Sequence, residues 1–310
     1  MKNKRILITG AAGSIGSELV RQLVVNNKIY AIDNNESGLF EVLEENKGNG
    51  WCYGRVADIR DKSVIEDIFS DFKPQYIFHA AALKHVPLME LTPREAIATN
   101  ILGTLNLVET AKKWECLEKF VFISTDKAVQ SFSIMGATKR VAEILIKNQG
   151  KRFVVVRFGN VLGSRGSVIP IWQKAIDRGE SIKITDERMS RYMMTIQEAV
   201  DLVIQASEIG KGGEIICLDM GEKINVLNLA KQILGKSGKK CQSCNGSGSQ
   251  VYGWPNGPAF NKRTCPDCSG AGTIGTIEMI GIRPGEQLSE RLMTEEEESR
   301  AIIKDKFIFV

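Results

Sequence analysis

Short apolar runs alternate with amphipathic stretches along most of this chain. Residues 5–9, 28–32, 51–57, 76–79, 120–123, 152–158 and 214–218 are apolar runs of strand length, bounded by Gly, Asp, Asn, Lys or Ser. Between them, residues 17–25, 62–69, 93–113, 134–146, 197–206 and 225–234 repeat apolar residues at three- and four-residue spacing, the mark of a helix with one buried face. Strands that alternate with helices in this way predict an α/β fold built on a doubly wound parallel sheet of the Rossmann type. The acidic run 295–298 reads as a solvated helix face.

Candidate chemistry sits where predicted strands end. The first strand runs into Gly10-Ala-Ala-Gly13-Ser14-Ile15-Gly16, and glycines at that spacing let the backbone turn tightly and approach a pyrophosphate at a helix N-terminus. Asp33 ends the second strand, at the distance expected of an acid that binds ribose hydroxyls. Asn34, Asn35 and Glu36 offer no arginine for a 2′-phosphate, so NAD is favoured over NADP. The alternative for Asp33 is a solvated turn residue. Asp58 and Ile59 would lie along the adenine, and Ala80, Ala81 and Ala82 would form a flat floor, although an alanine run also suits plain helix packing. The segment 159–168, with Asn160, Val161, Arg165 and Val168, looks built for an anion and a polar ligand, the alternative being a surface loop. Thr185, Arg188 and Arg191 follow, and Arg283-Pro-Gly-Glu286 is a turn presenting a guanidinium and a carboxylate.

The densest cluster of proton-handling groups is 124–140, at a strand-to-helix junction. Thr125, Asp126 and Lys127 would stand at the carboxyl end of a strand, and Met135 and Lys139 share a helix face. A tyrosine four residues before that lysine would complete a short-chain dehydrogenase pair, the lysine lowering the tyrosine pKa. Here Met135 holds the tyrosine position, and a thioether has no proton to transfer.

Together, TGAAGSIGSEL, HAAALKHVPLME, STDKAV with MGATKR, RFGNVLGSRGSVIP, TDERMSRYMMTIQEAV, LDMGEKI and GIRPGE closely resemble the nucleotide-sugar 4,6-dehydratases of polysaccharide biosynthesis. These are extended short-chain dehydrogenases acting on UDP-N-acetylglucosamine. The resemblance covers residues 4–236 and 276–293. It implies an NAD(P)-binding Rossmann domain over 1–160, with parts of 190–220 returning to it, and a smaller discontinuous UDP-sugar domain, mainly within 161–310. It also implies a reaction in which C4 is oxidised, water is eliminated across C5 and C6, and the hydride returns to C6. By motif, Asp126 is the acid for the departing C6 hydroxyl and Lys127 the base for the C5 proton, or else an electrostatic anchor for the diphosphate. Thr125 and Lys139 complete the catalytic set. Lys84 is implied at both cofactor and substrate, Asn100 under the active-site helix, and Lys139 on the cofactor ribose. Met135, Asn160, Val161, Arg165, Val168, Thr185, Arg191, Arg283 and Glu286 are implied around the UDP-sugar. Met135 agrees with the larger, membrane-anchored branch of that family. A UDP-sugar 4-epimerase, or a silent NAD-bound scaffold, are the competing readings.

At 310 residues with 43% hydrophobic content, the composition suits a globular enzyme, and no apolar run reaches the ~20 residues that span a bilayer. With no signal-like N-terminus, a cytoplasmic protein without a membrane partner is expected. A formal charge of +4 with interspersed signs argues against nucleic acid. Three of seven cysteines, Cys52, Cys116 and Cys217, stand alone and read as small buried residues. The others lie in two C-x-x-C-x-G-x-G units, Cys241 with Cys244 and Cys265 with Cys268, inside an insert over 239–274. Their spacing suits one tetrahedral structural zinc site, and the units resemble the zinc knuckles of DnaJ-type chaperones. Paired disulfides or a redox pair are the rival. The insert would either clip the substrate domain or dock a protein partner, and a homo-oligomer is expected.

Overall fold

In the computed structural model, six strands form close to where the apolar runs predict them: β1 (Arg5–Thr9), β2 (Lys28–Asp33), β3 (Trp51–Val56), β4 (Tyr76–His79), β5 (Lys119–Ile123) and β6 (Phe153–Arg157). The structure describes every residue except 238, 241, 246–248, 253–260, 266–272 and 275–276, and describes backbone alone at 236–237, 239–240, 242, 249–252, 261–263 and 273–274. The six strands pair in parallel in the order β3-β2-β1-β4-β5-β6. The chain direction across the sheet therefore reverses between β1 and β4. At such a switch point the flanking loops splay apart and open a ligand crevice at the strands' carboxyl ends.

Three later strands extend the sheet beyond β6: Ile215–Leu218 in parallel, then Phe307–Phe309 and Ile302–Lys304, both antiparallel. Strands β1, β2, β4, β5 and β6 are covered on both faces, which is why they read as nearly unbroken apolar runs. Ile6 and Ile8 pack on one side with Leu19, Val20 and Val203, while Leu7 packs on the other with Ile65, Phe69 and Leu107. Burying each such side chain contributes about 1.5–3 kcal/mol.

Two helices differ from the pattern-based reading. The first begins at Ser14 and ends at Leu23, so Ser14, Ile15 and Gly16 belong to its first turn and not to a loop before it. The predicted helix over 93–113 is three pieces, Pro93–Ala96, a π-helical stretch Ile97–Gly103, and Thr104–Lys112. Asn100 lies in the wide turn, and its carbonyl accepts from Thr104 Oγ1 at 2.7 Å.

A second lobe packs around Trp172, Ile182, Ile184, Met189, Val226 and Ala230. Its strand Ile182–Ile184 pairs in parallel with Ile277–Met279, and the insert leaves and rejoins between the helix Val226–Ser237 and that strand. Within the insert, Ser249–Tyr252 pairs antiparallel with Asn261–Thr264, and Lys239–Lys240 with Thr273–Ile274. Cys244 and Cys265 are buried together, apart from the main cores. Cys241 and Cys268, the other half of the expected zinc set, lie outside the described residues, and among the described residues no group of three metal-ligating side chains assembles. Cys217 is buried as expected, whereas Cys52 and Cys116 are only partly so. No helix among the described residues is long and apolar enough to cross a membrane.

Candidate active site

The loop after β5 is stitched to the segment leaving β6: Ser124 N donates to Val156 O at 2.7 Å and Asp126 N to Phe158 O at 3.0 Å. Thr125 caps the 3₁₀ turn Asp126–Ala128, and its hydroxyl donates to Asp126 Oδ1 at 3.0 Å. Lys127 Nζ donates to the same oxygen at 2.9 Å and to Asn160 Oδ1 at 3.0 Å. The other carboxylate oxygen, Asp126 Oδ2, is buried with no hydrogen-bond partner among the described residues. An unsatisfied buried acceptor costs about 1–3 kcal/mol, so a ligand that donates to it is the natural complement. Gly159 makes room for it, since a Cβ there would lie 2.9 Å from Oδ2 and 3.0 Å from Tyr192 Cβ.

The helix Ile134–Lys147 begins beside this loop, with Ser133 as N-cap accepting from Gly136 N at 3.0 Å. Gly136 permits the close approach: a Cβ would meet Lys127 O at 2.4 Å. Asn100 anchors the helix from the π-turn, accepting from Leu83 N at 2.8 Å and donating to Leu83 O and Thr138 Oγ1, each at 3.0 Å. Lys139 is buried, with Nζ donating to Ile123 O and lying 3.9 Å from the Phe122 ring centroid. Burial pulls its pKa down to about 7, against the opposing pull of Glu143.

Two cavities open here. The larger, about 530 Å³, is lined by Lys127, Asn160, Val168, Thr185, Arg191, Arg283, Glu286 and Glu290, with Trp172 and Lys174 from the second lobe. The smaller, about 270 Å³, is lined by Gly10, Gly13, Asp33, Asn34, Asp58, Ile59, Ala80, Ala81 and Ala82. Gly10 takes a positive φ of 71°, and a Cβ on it would meet Ala81 N at 2.5 Å. Asp33 accepts from Ala12 N and Asn35 N, each at 2.9 Å, which fixes its carboxylate at the cavity wall. These features fit a dinucleotide cradle.

Several predicted site residues stand elsewhere. Met135 is 3% exposed in an apolar cluster with Val86, Met89 and Ala96, so it packs and does not line the sugar-sized cavity. The loss of a hydroxyl leaves nothing to hold that side chain at a polar wall. Arg165 lines the smaller cavity and not the larger: its guanidinium donates to Ala12 O at 2.8 Å and its backbone N–H to Ser14 Oγ at 2.9 Å, so this loop bridges to the glycine turn. Arg191 lines the larger cavity yet spends its guanidinium on the carbonyls of Ser190, Gln287 and Leu288. Lys84 is exposed and lines neither cavity. Val161, Ser14, Ile15 and Gly16 line neither cavity.

The sequence reading missed three carboxylates. Glu290 is buried, with Oε1 4.0 Å from Lys127 Nζ. Glu143 and Glu297 clamp the buried Arg157 at 2.7 and 2.9 Å, and Ser124 Oγ donates to Glu143 at 2.6 Å. Only Glu297 carried a signal, since Thr294-Glu-Glu-Glu297 is a capping-box sequence.

A Rossmann-type α/β protein with two adjoining cavities and a buried carboxylate–lysine pair is the class these observations define. The chain belongs to the family described as polysaccharide biosynthesis protein, whose model matches residues 6–310. It is 44% identical over 308 residues to the capsular polysaccharide biosynthesis protein CapD of Staphylococcus aureus, covering 96% of this chain and 46% of that protein. The chain thus spans about half the length of the first curated relatives it matches. It is 37% identical to the inverting UDP-N-acetylglucosamine 4,6-dehydratase of Campylobacter jejuni, over 68% of this chain and 66% of that one. UDP-glucose 4-epimerases of Rickettsia are relatives as well. Among solved structures, Pen from Bacillus thuringiensis superposes with a TM-score of 0.84 at 32% identity, covering 100% of this chain and 88% of that one.

Proposed function

We propose that the chain is an NAD-dependent nucleotide-sugar 4,6-dehydratase that converts UDP-N-acetylglucosamine to a UDP-4-keto-6-deoxy-N-acetylhexosamine. The observation that carries this reading is the Asp126–Lys127 pair at 2.9 Å, with one bare carboxylate oxygen and with Lys127 on the wall of the larger cavity. Gly10, Gly13, Asp33, Asp58 and the Ala80–Ala82 floor would hold NAD, and Asp33 opposes the extra phosphate of NADP. When bound, NAD supplies hydride acceptance from C4 and its return to C6. Moving one proton from Lys127 to Asp126 makes the lysine a free base and the carboxyl an acid. Lys127 then takes the C5 proton, acidified by the C4 ketone, and Asp126 protonates the departing C6 hydroxyl. The Met135 thioether is too weak a base to take a proton, so the C4 hydroxyl proton passes to another group of the cavity.

An epimerase needs only oxidation and reduction at C4, which would leave this acid–base pair idle. A silent scaffold would need neither the pair nor the cavity. Lys127→Ala is expected to cut turnover by about 10²–10⁴-fold, with sugar affinity held within a few-fold. Unchanged turnover would remove Lys127 as the base.

The insert is proposed to hold one structural zinc on Cys241, Cys244, Cys265 and Cys268. The paired spacing supports this, as does the burial of Cys244 against Cys265. A cytoplasmic location and a homo-oligomer complete the reading, the oligomer supported by the exposed Leu88, Leu91, Ile97 and Leu102 beside the active-site helix.

A further inference from the structure

The proposed reaction has three proton-transfer roles: a base for the C4 hydroxyl, a base for C5–H and an acid for the C6 hydroxyl. Asp126 and Lys127 fill two, and Met135 is packed out of reach of the third. Glu290 is a further carboxylate on the cavity wall, beside Lys127. It is 4% exposed, lines the larger cavity with Lys127, and has Lys127 as the one cation within 4.0 Å among the described residues.

Its position is built. The strand Ser190–Arg191 holds the strap ahead of Glu290: Ser190 N donates to Leu288 O at 2.9 Å, and the Arg191 guanidinium donates to Gln287 O at 2.6 Å and Leu288 O at 3.0 Å. Lys223 Nζ fixes the neighbouring Ser289 Oγ at 2.7 Å. Two cations and a β-bridge between Ser190 and Ser289 are thus spent on placing one carboxylate against the cavity. A carboxylate left there without such support would swing to solvent, because burial disfavours its charge.

Resting on the dehydratase reading, we propose that Glu290 is the catalytic base for the C4 hydroxyl, taking over the role that a tyrosine at position 135 would have. The C4–O–H bond breaks, its proton forms a new O–H bond on the Glu290 carboxylate, the electron pair left on oxygen forms the C4=O bond, and the C4 hydride leaves to NAD. As the cycle closes, the hydride returns to C6, Lys127 gives a proton to C5 and regains one from solvent, and Glu290 releases its proton to solvent, so all three groups end as they began. Around Glu290 stand Lys127 and Asp126 from the loop after β5, Arg191 from its strand, and Lys223 from the turn that follows Leu218. Burial pushes the Glu290 carboxyl up, and Lys127 pulls it back less strongly, which moves it toward the range where a carboxylate serves as a base.

The test separates oxidation at C4 from chemistry at C5. Glu290→Gln and Glu290→Asp are compared with wild type and Lys127→Ala in two assays, after melting curves show each variant folded. The first is turnover of UDP-N-acetylglucosamine. The second is solvent exchange of the C5 hydrogen of the 4-keto-6-deoxy product, which needs Lys127 but no C4 deprotonation. Glu290→Gln should lose about 10²–10⁴-fold in kcat with KM within a few-fold and keep the C5 exchange, while Lys127→Ala loses both. Glu290→Asp should recover part of kcat. Loss of both activities in Glu290→Gln would make Glu290 a structural support for Lys127 and overturn the proposal, as would wild-type turnover. Wild type that leaves the sugar untouched would instead remove the dehydratase reading on which the proposal rests.

Discussion

Lys139 shows how a single buried charge leaves a mark on stability. Its ammonium is enclosed, and desolvation lowers its pKa from 10.5 to about 7. The unfolded chain binds this proton more tightly, so the buried charge costs stability fully below about pH 7, and the cost fades as pH rises toward 10.5. Lys139→Met should therefore be more stable than wild type at pH 6, by an amount on the order of a few kcal/mol, and the difference should shrink by pH 10 in urea unfolding. A difference that stays constant with pH would show that Lys139 is not held as described. Gly159 makes a second test: its missing side chain is the space that Asp126 Oδ2 occupies, so Gly159→Ala should displace the carboxylate and cost turnover more than fold, with at most about 1–3 kcal/mol lost in stability. Asp126, Lys127 and Asp33 were legible in the sequence because they stand at or just past the carboxyl ends of strands. Glu290 was not, because a carboxylate in an irregular strap has no periodicity to announce its burial.

At the level of elements, the strands and most helices were readable because β1, β2, β4, β5 and β6 are buried on both faces and most helices on one. The break of 93–113 into three pieces was not, since Ile97 to Gly103 keeps an apolar-rich pattern while Asn100 turns its side chain to Leu83 and Thr138. The last two strands were also missed. They are three residues each and meet at Asp305, whose left-handed φ of 51° closes the hairpin without a glycine or Asn-Gly pair to mark it. The acidic run was read as solvated, yet Glu297 enters the core to join Arg157, Glu143 and Arg140, tying the short helix Glu295–Ser299 to the active-site helix. Arg157→Met would remove the buried cation that Glu143 and Glu297 share and leave them only the partly exposed Arg140. It should destabilise the protein by about 3–5 kcal/mol, measured by chemical denaturation, and Glu143→Gln with Arg157→Met together should recover part of that loss. A loss under 1 kcal/mol would mean that the network contributes little.

The whole molecule combines a sheet whose switch point makes a dinucleotide-shaped crevice, a second lobe that closes a sugar-sized cavity against it, and an insert that leaves the second lobe and returns to it. If the insert holds zinc, the purified protein should carry about one zinc per chain, and a chelator should raise amide exchange across 239–274 while the sheet stays protected. Exchange that rises equally in the sheet would show the insert to be a global support. Elimination of water by the Asp126–Lys127 pair is what the proposed function stands on. The direct measurement is proton NMR of UDP-N-acetylglucosamine incubated with the protein and NAD in deuterated water. Elimination by the pair should give a new C6 methyl signal with deuterium at C5. A change confined to C4, or an unaltered sugar that still binds, would contradict it.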